Sequence, residues 1–176
     1  MKRKFFILSV LVMMHCAVAS PSLGKQSSQE ILNSLNTTLA TLSFATQDPR
    51  SNFIDEWNNS YQFAVKGNQF IITYRTENTL FKGAERQSHD IETGTYRASL
   101  DMLSNASVLP FSQTLGIPII CNEMEKCFTQ ESPGQYEHTG KITPSKYSKS
   151  SHRINLNLPE DLIGPTIDLL QDLLYP

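Results

Sequence analysis

Residues 61–75 constrain the fold more than any other stretch of the chain. Tyr61, Phe63 and Val65 alternate with Gln62, Ala64 and Lys66; Gly67-Asn68 interrupts; Phe70, Ile72 and Tyr74 then alternate with Thr73 and Arg75. Successive side chains of a strand point to opposite faces, so each arm has one apolar and one polar side. Two such arms around a two-residue Gly-Asn turn predict an antiparallel hairpin with one buried face. Leu80-Phe81, after Glu77-Asn78 and limited by Gly83, predicts a third strand by meander.

Helical signals flank this sheet. Ser27 and Glu30 have the spacing of a capping box, and Leu32, Leu35, Leu39 and Leu42 follow at three- and four-residue intervals, with Ile31 beside them. The spacing predicts an N-terminal helix of about four turns with a leucine stripe. A partner-binding helix would carry the same stripe, but core packing is its commoner use. At the other end, Pro159 and Pro165 introduce a C-terminal amphipathic helix: Ile163, Ile167, Leu170 and Leu174, widened by Leu169 and Leu173, oppose Asp168, Gln171 and Asp172.

The remaining segments are weaker. Ala45 to Ser60 is punctuated by Asp48-Pro49 and Asn58-Asn59 and holds the one tryptophan, Trp57, which is either a ligand-stacking ring or, as lone tryptophans more often are, the seal of a core edge. Glu85 to Ala106 mixes a helical face (Tyr96, Leu100, Leu103) with Gly94 and many Thr and Ser. Leu115 to Cys121 reads as a strand with Pro118 at an edge or bulge, and Cys127-Phe128-Thr129 as its antiparallel return. Gln130 to Ser151 is rich in turn formers and reads as a long mobile loop. Ile154, Leu156 and Leu158 alternate with Asn155 and Asn157 as a last strand.

The order helix, strands, helix excludes an alternating βαβ chain and with it a parallel nucleotide-binding sheet. The fold class is α+β: an N-terminal helix, a curved, mainly antiparallel sheet of about five to seven strands, and a C-terminal helix. On the hairpin Ile119-Ile120-Cys121 to Cys127-Phe128 and the Leu-rich terminal helix, the chain resembles exported bacterial proteins with a pleckstrin-homology-like barrel. The resemblance covers about a third of the chain, implies a sheet closed by the terminal helix, and transfers no functional residue.

The first 19 residues set the compartment. Met1-Lys2-Arg3-Lys4, an apolar run from Phe5 to Met14, and Ala17-Val18-Ala19 form a secretory signal with cleavage between Ala19 and Ser20. The apolar run is too short to span a bilayer. Residues 20–26 then read as a flexible N-terminus and 27–176 as one globular domain carrying the polar loop at 130–153. A lipid anchor through Cys16 would need a small residue before the cysteine, and Met13-Met14-His15 does not supply one. The short Lys-rich signal has a bacterial style, so the three sequons at Asn36, Asn58 and Asn105 read as chance. The expected location is periplasmic or extracellular.

Cleavage leaves 157 of 176 residues, with 12 basic against 17 acidic side chains and a formal charge of −5. A nucleic-acid binder needs the opposite sign. Removal of Cys16 leaves Cys121 and Cys127, which in an oxidising compartment predict a disulfide. Redox catalysis is the alternative, but Glu123 and Glu125 would raise the thiol pKa and the spacer is too long.

No catalytic motif emerges, and no cofactor or metal is implied. His89, His138 and His152 stand alone, and in extended chain His89 and Ile91 face away from Asp90 and Glu92. There is no Gly-x-Ser-x-Gly turn and no phosphate-cradling loop. One charge concentration, Lys141, Lys146, Lys149 and Arg153 beside Tyr136, Tyr147, His138 and His152, could meet an acidic partner, or could serve only to keep a loop solvated. The resulting expectation is a non-catalytic binding module for a protein or envelope component, acting through a sheet face or residues 130–153. The alternatives are a periplasmic hydrolase with a site assembled from distant residues, and, more narrowly, a periplasmic inhibitor or immunity protein.

Overall fold

The structure, a computed structural model, describes residues 26–47, 52–103, 107–108, 116–121, 126–133, 136–138, 141–143 and 146–175. The expected signal segment and cleavage site, most of the expected flexible N-terminus, Cys16 and Asn105 therefore lie outside the described residues. The chain is α+β, with a helix at each end of an antiparallel strand array.

Helix α1 (Ser28–Thr38) starts where the capping box places it: the Ser27 N–H donates to Glu30 Oε2 at 2.8 Å and the Glu30 N–H to Ser27 Oγ at 3.3 Å. Ile31, Leu32, Leu35 and Leu39 are buried. The helix is shorter than the leucine spacing predicts. Leu39 closes it, and Leu42 begins β1 (Leu42–Gln47), where it pairs with Asn59.

The hairpin of residues 61–74 is present in the expected register, with Tyr61 opposite Tyr74, Phe63 opposite Ile72 and Val65 opposite Phe70. Gly67 turns the chain at φ +59°, where a side chain would be strained. Both arms run much further than the apolar alternation does. Strand β2 (Phe53–Lys66) includes Trp57 and the Asn58-Asn59 pair, which the sequence places in a punctuated segment; β3 (Gln69–Lys82) absorbs Leu80-Phe81, which form no separate strand. Gly83 then turns into β4 (Glu85–Ser99), followed by the one-turn α2 (Leu100–Leu103), so the mixed signal of residues 85–103 resolves into a long strand and a short helix.

The loop expected over 130–153 is replaced by strands. β7 (Phe128–Pro133) and β8 (Tyr136–His138) pair with β10 (Lys146–Ser151) and β9 (Lys141–Thr143). One register relates the pairs, Pro133 to Lys146 and Tyr136 to Thr143, so they form one interrupted hairpin. Turn formers dominate its sequence, yet backbone pairing with β4 keeps it extended. The sheet order is β1-β2-β3-β4-β7-β10, with β8 on β4 and β9 on β8. Its two edges, β1 and β9–β10, are not paired to each other, so the sheet is not the closed barrel that the resemblance implies.

A second, small sheet has the order β11 (Arg153–Leu156), β6 (Ile117–Ile120), β5 (Ser107–Val108). It corrects two expectations. Residues 117–120 and 128–133 do not pair as a hairpin: β6 belongs to the small sheet and β7 to the large one. Pro118 lies on the central strand of its sheet, not an edge. Cys121 N–H donates to His152 O at 3.0 Å, so alternate residues 117, 119 and 121 direct their amides to the β11 side. The amide that proline lacks would point to the other side, beyond the two β6 residues that β5 pairs.

Helix α3 (Glu160–Leu174) follows Pro159, with Pro165 tolerated in its second turn. Leu170, Leu173 and Leu174 are buried, with Thr166, whereas Ile163 and Ile167 are only partly covered. The buried stripe is thus rotated from the expected one. It packs on α1, and together with the small sheet these helices cover the inner face of the large sheet at Tyr61, Phe63, Phe70, Ile72 and Phe128. Complete burial of side chains of this size stabilises by about 1.5–3 kcal/mol each, which makes this face the energetic centre of the fold.

Candidate functional site

The other, outer face of the large sheet carries a shallow surface depression. Strand alternation brings polar side chains outward in register, most of them short: Gln62, Thr73 and Thr95 form one row across β2, β3 and β4, and Ser60 and Thr93 flank Arg75 in the next. Short side chains leave the surface low, while Lys66, Arg75 and Arg97 stand at its margins. Two adjoining concavities result, of about 490 Å³ and 350 Å³, sharing the Gln62, Thr73 and Thr95 floor. Asn36 borders the first; Ile71 contributes an apolar patch to it.

Each arginine at the margin is held by one carboxylate. Arg75 Nη2 lies 2.8 Å from Glu77 Oε2, and Arg97 Nε 3.4 Å from Glu131 Oε2; the two arginine side chains remain 48% and 40% exposed. Glu77 also meets His89 Nε2 at 2.9 Å. The His89 hydrogen bond, with the Arg75 guanidinium after it, holds the Glu77 carboxyl below its usual range against a smaller opposing effect of burial. The residues lining the two concavities are amides, hydroxyls, small or apolar groups and these cations; no His, Cys, Asp or Glu lines them. Such a surface can hydrogen-bond an extended polar ligand and attract negative charge.

Beneath the floor, on the inner face, lies a polar cluster. Tyr74 donates its hydroxyl proton to Glu92 Oε1 at 2.9 Å, and the Gln130 amide donates to the Tyr74 oxygen at 2.5 Å and to Glu92 Oε1 at 3.1 Å. Tyr96 stacks on Tyr74 at 4.8 Å between centroids. Gly94 makes room for this arrangement, since a Cβ there would lie 2.5 Å from the Tyr74 hydroxyl. Burial pushes the Tyr74 hydroxyl well above its ordinary pKa, and that of Tyr96 upward as well. These groups satisfy one another and tie β3, β4 and β7 together under the outer surface.

The residues singled out from the sequence fall elsewhere. Cys121 and Cys127 are joined, with Cα atoms 5.9 Å apart, and link the end of β6 to the start of β7, so the bridge spans two sheets. His89 and Glu92 do face opposite ways, one to Glu77 and the other to Tyr74. Trp57 stacks on Phe44 at 6.3 Å, half-buried on the inner face. Lys141, Lys146, Tyr147 and Lys149 lie along the β9–β10 edge, and Arg153 is on β11 of the small sheet, so the cationic set is spread over two sheets. His138 is opposite Lys141 in the backbone register, and His152 is exposed. Asn36 spends both ends of its amide on the Phe63 backbone.

Sequence reading identified the β2 and β3 positions of the outer face as polar partners of the hairpin alternation, but not Thr93, Thr95 and Arg97. Their own alternation is the available signal, and Gly94 and the Leu100 and Leu103 spacing obscure it. Among the described residues no group of three or more His, Cys, Asp or Glu converges as a metal site, and no helix is long and apolar enough to cross a membrane. No protein family, curated sequence or solved structure matches the chain.

Proposed function

We propose that this is a small exported bacterial protein, periplasmic or extracellular, that acts as a non-catalytic binding module for a protein or envelope component. The signal segment supports the location, and the Cys121–Cys127 bridge is compatible with it. The binding surface is the outer face of β2, β3 and β4, and the preferred ligand is an extended, hydroxyl- or amide-rich chain bearing negative charge. The observation that carries this reading is the uncharged Gln62, Thr73 and Thr95 floor with Lys66, Arg75 and Arg97 around it. Extended ligands suit a shallow face; small-molecule chemistry favours an enclosed pocket.

The test compares capture from the native envelope fraction by wild type, by Lys66→Gln/Arg97→Gln, and by a variant with Lys141, Lys146, Lys149 and Arg153 exchanged for Ser or Gln. Loss of ligand in the first variant alone is the expected result. Loss only in the second would move the site to the β9–β10 edge, and hydrolysis of the captured component would overturn the non-catalytic reading.

A further inference from the structure

The edges of the large sheet are treated unequally. An open edge presents unpaired N–H and C=O groups, and proteins blunt it with lysines, prolines, bulges or a covering element. The β9–β10 edge carries Lys141, Lys146 and Lys149. The part of β2 that extends past β1 is covered by α1: Tyr61 N–H donates to Leu39 O at 2.9 Å, and Asn36 exchanges two hydrogen bonds with the Phe63 backbone at 2.6 and 2.9 Å. Strand β1, Leu42-Ser43-Phe44-Ala45-Thr46-Gln47, has no charge, proline or glycine, and pairs with β2 over its whole length without a register shift. Among the described residues nothing pairs with its outer edge.

We propose that this edge joins two copies of the chain, β1 to β1, antiparallel about a two-fold axis through Phe44. A second copy fits better than a foreign peptide because an uncharged strand sets no like charges opposite each other on self-pairing, and because the pattern is self-complementary. In this register Phe44 faces its counterpart, Leu42 faces Thr46 and Ser43 faces Ala45, so every pair shares one side of the sheet. Trp57 already stacks behind Phe44, and the dimer extends that stack to a row of four rings on the inner face. The contact is isologous and, among the described residues, leaves the large sheet with only its lysine-bearing edges unpaired, so assembly through this sheet stops at two. The axis is perpendicular to the sheet and sets both outer faces on one side. The self-pairing itself does not depend on what those faces bind.

Sedimentation velocity over the micromolar range should show a monomer–dimer equilibrium for the wild type. Ala45→Lys, on the exposed outer side and away from the core, should weaken it by at least about tenfold, the effect of roughly 1.4 kcal/mol, with an unchanged circular dichroism spectrum. Phe44→Cys should form a covalent dimer on mild oxidation; Ser43→Cys should not do so alone but should cross-link to Ala45→Cys, the pairing this register demands. A wild type that stays monomeric throughout, a dimer insensitive to Ala45→Lys, or cross-links in any other register would each overturn the proposal.

Discussion

The two halves of the long strands β2, β3 and β4 share one backbone ladder and live in different environments. In the half next to the Gly67 turn, Tyr61, Phe63, Phe70, Ile72 and Tyr74 are buried beneath the helices and the small sheet. In the half next to the Gly83 turn, residues 53–58, 75–82 and 85–93 contain no fully buried side chain. There the inner face carries Trp57 stacked on Phe44 and an Asn78 to Asp55 hydrogen bond of 3.3 Å, and the outer face carries the Arg75, Glu77 and His89 group. The comparison shows that pairing and burial are separable. A strand can be continued by ladder hydrogen bonds and exposed polar contacts well past the point where its hydrophobic period ends.

The widest gap between the halves should appear in core deletions. Phe70→Ala should cost about 3–5 kcal/mol, whereas Leu80→Ala on the same strand should cost under about 1 kcal/mol, the range of partly exposed sites. Chemical denaturation midpoints measure both, and equal losses would break the distinction. Alkaline pH sharpens it next. Burial raises the Tyr61 hydroxyl pKa, as it does that of Tyr74. The unfolded chain therefore ionises first, and stability present below the ordinary value near 10 should fall above it by about 1.4 kcal/mol per pH unit for each of these tyrosines. Because Tyr175 is exposed, bulk tyrosinate absorbance does not decide the matter; ionisation of Tyr61 or Tyr74 themselves before unfolding, followed by NMR of their ring carbons, would contradict this.

Reduction of the Cys121–Cys127 bridge should cost about 2–2.5 kcal/mol by loop-closure entropy for so short a loop, and thermal unfolding with and without reductant tests it. Gly94→Ala should cost about 1–3 kcal/mol, because the new methyl group meets a Tyr74 ring already held by Glu92, Gln130 and Tyr96. The smallest effect belongs to the far half. Glu77 has a lowered pKa in the folded state, so its contribution is present above the ordinary carboxylate value and lost as pH falls through the folded one. Its pairs, exposed at Arg75 and partly buried at His89, limit that contribution to about 0.2–1 kcal/mol. Glu77→Gln should flatten this part of the acid limb, and an unchanged limb would remove Glu77 from the account.

Legibility in the sequence followed burial. The hairpin at Gly67-Asn68 was readable because one face is buried, which imposes a period of two; the Ser27 cap was readable because it is a local hydrogen-bond pattern. The outer-half strands and the 128–151 hairpin were not, because the large sheet continues there without a sustained apolar face. The candidate site suffered the same way. Gln62 and Thr73 belong to the legible hairpin, whereas Thr95 and Arg97 join them only through β3–β4 pairing.

By itself the sequence determined the α+β class, the start of α1, the Gly67 turn, the alternation of residues 154–158 and the existence of a C-terminal helix, all properties of neighbouring residues. Only the tertiary structure decided where α1 stops, which face of α3 is buried, that the Cys121–Cys127 bridge joins strands of different sheets, and that one edge is lined with lysines while the other is bare. Those outcomes depend on which distant strands share hydrogen bonds and which faces end up covered. Local propensity carries no record of either.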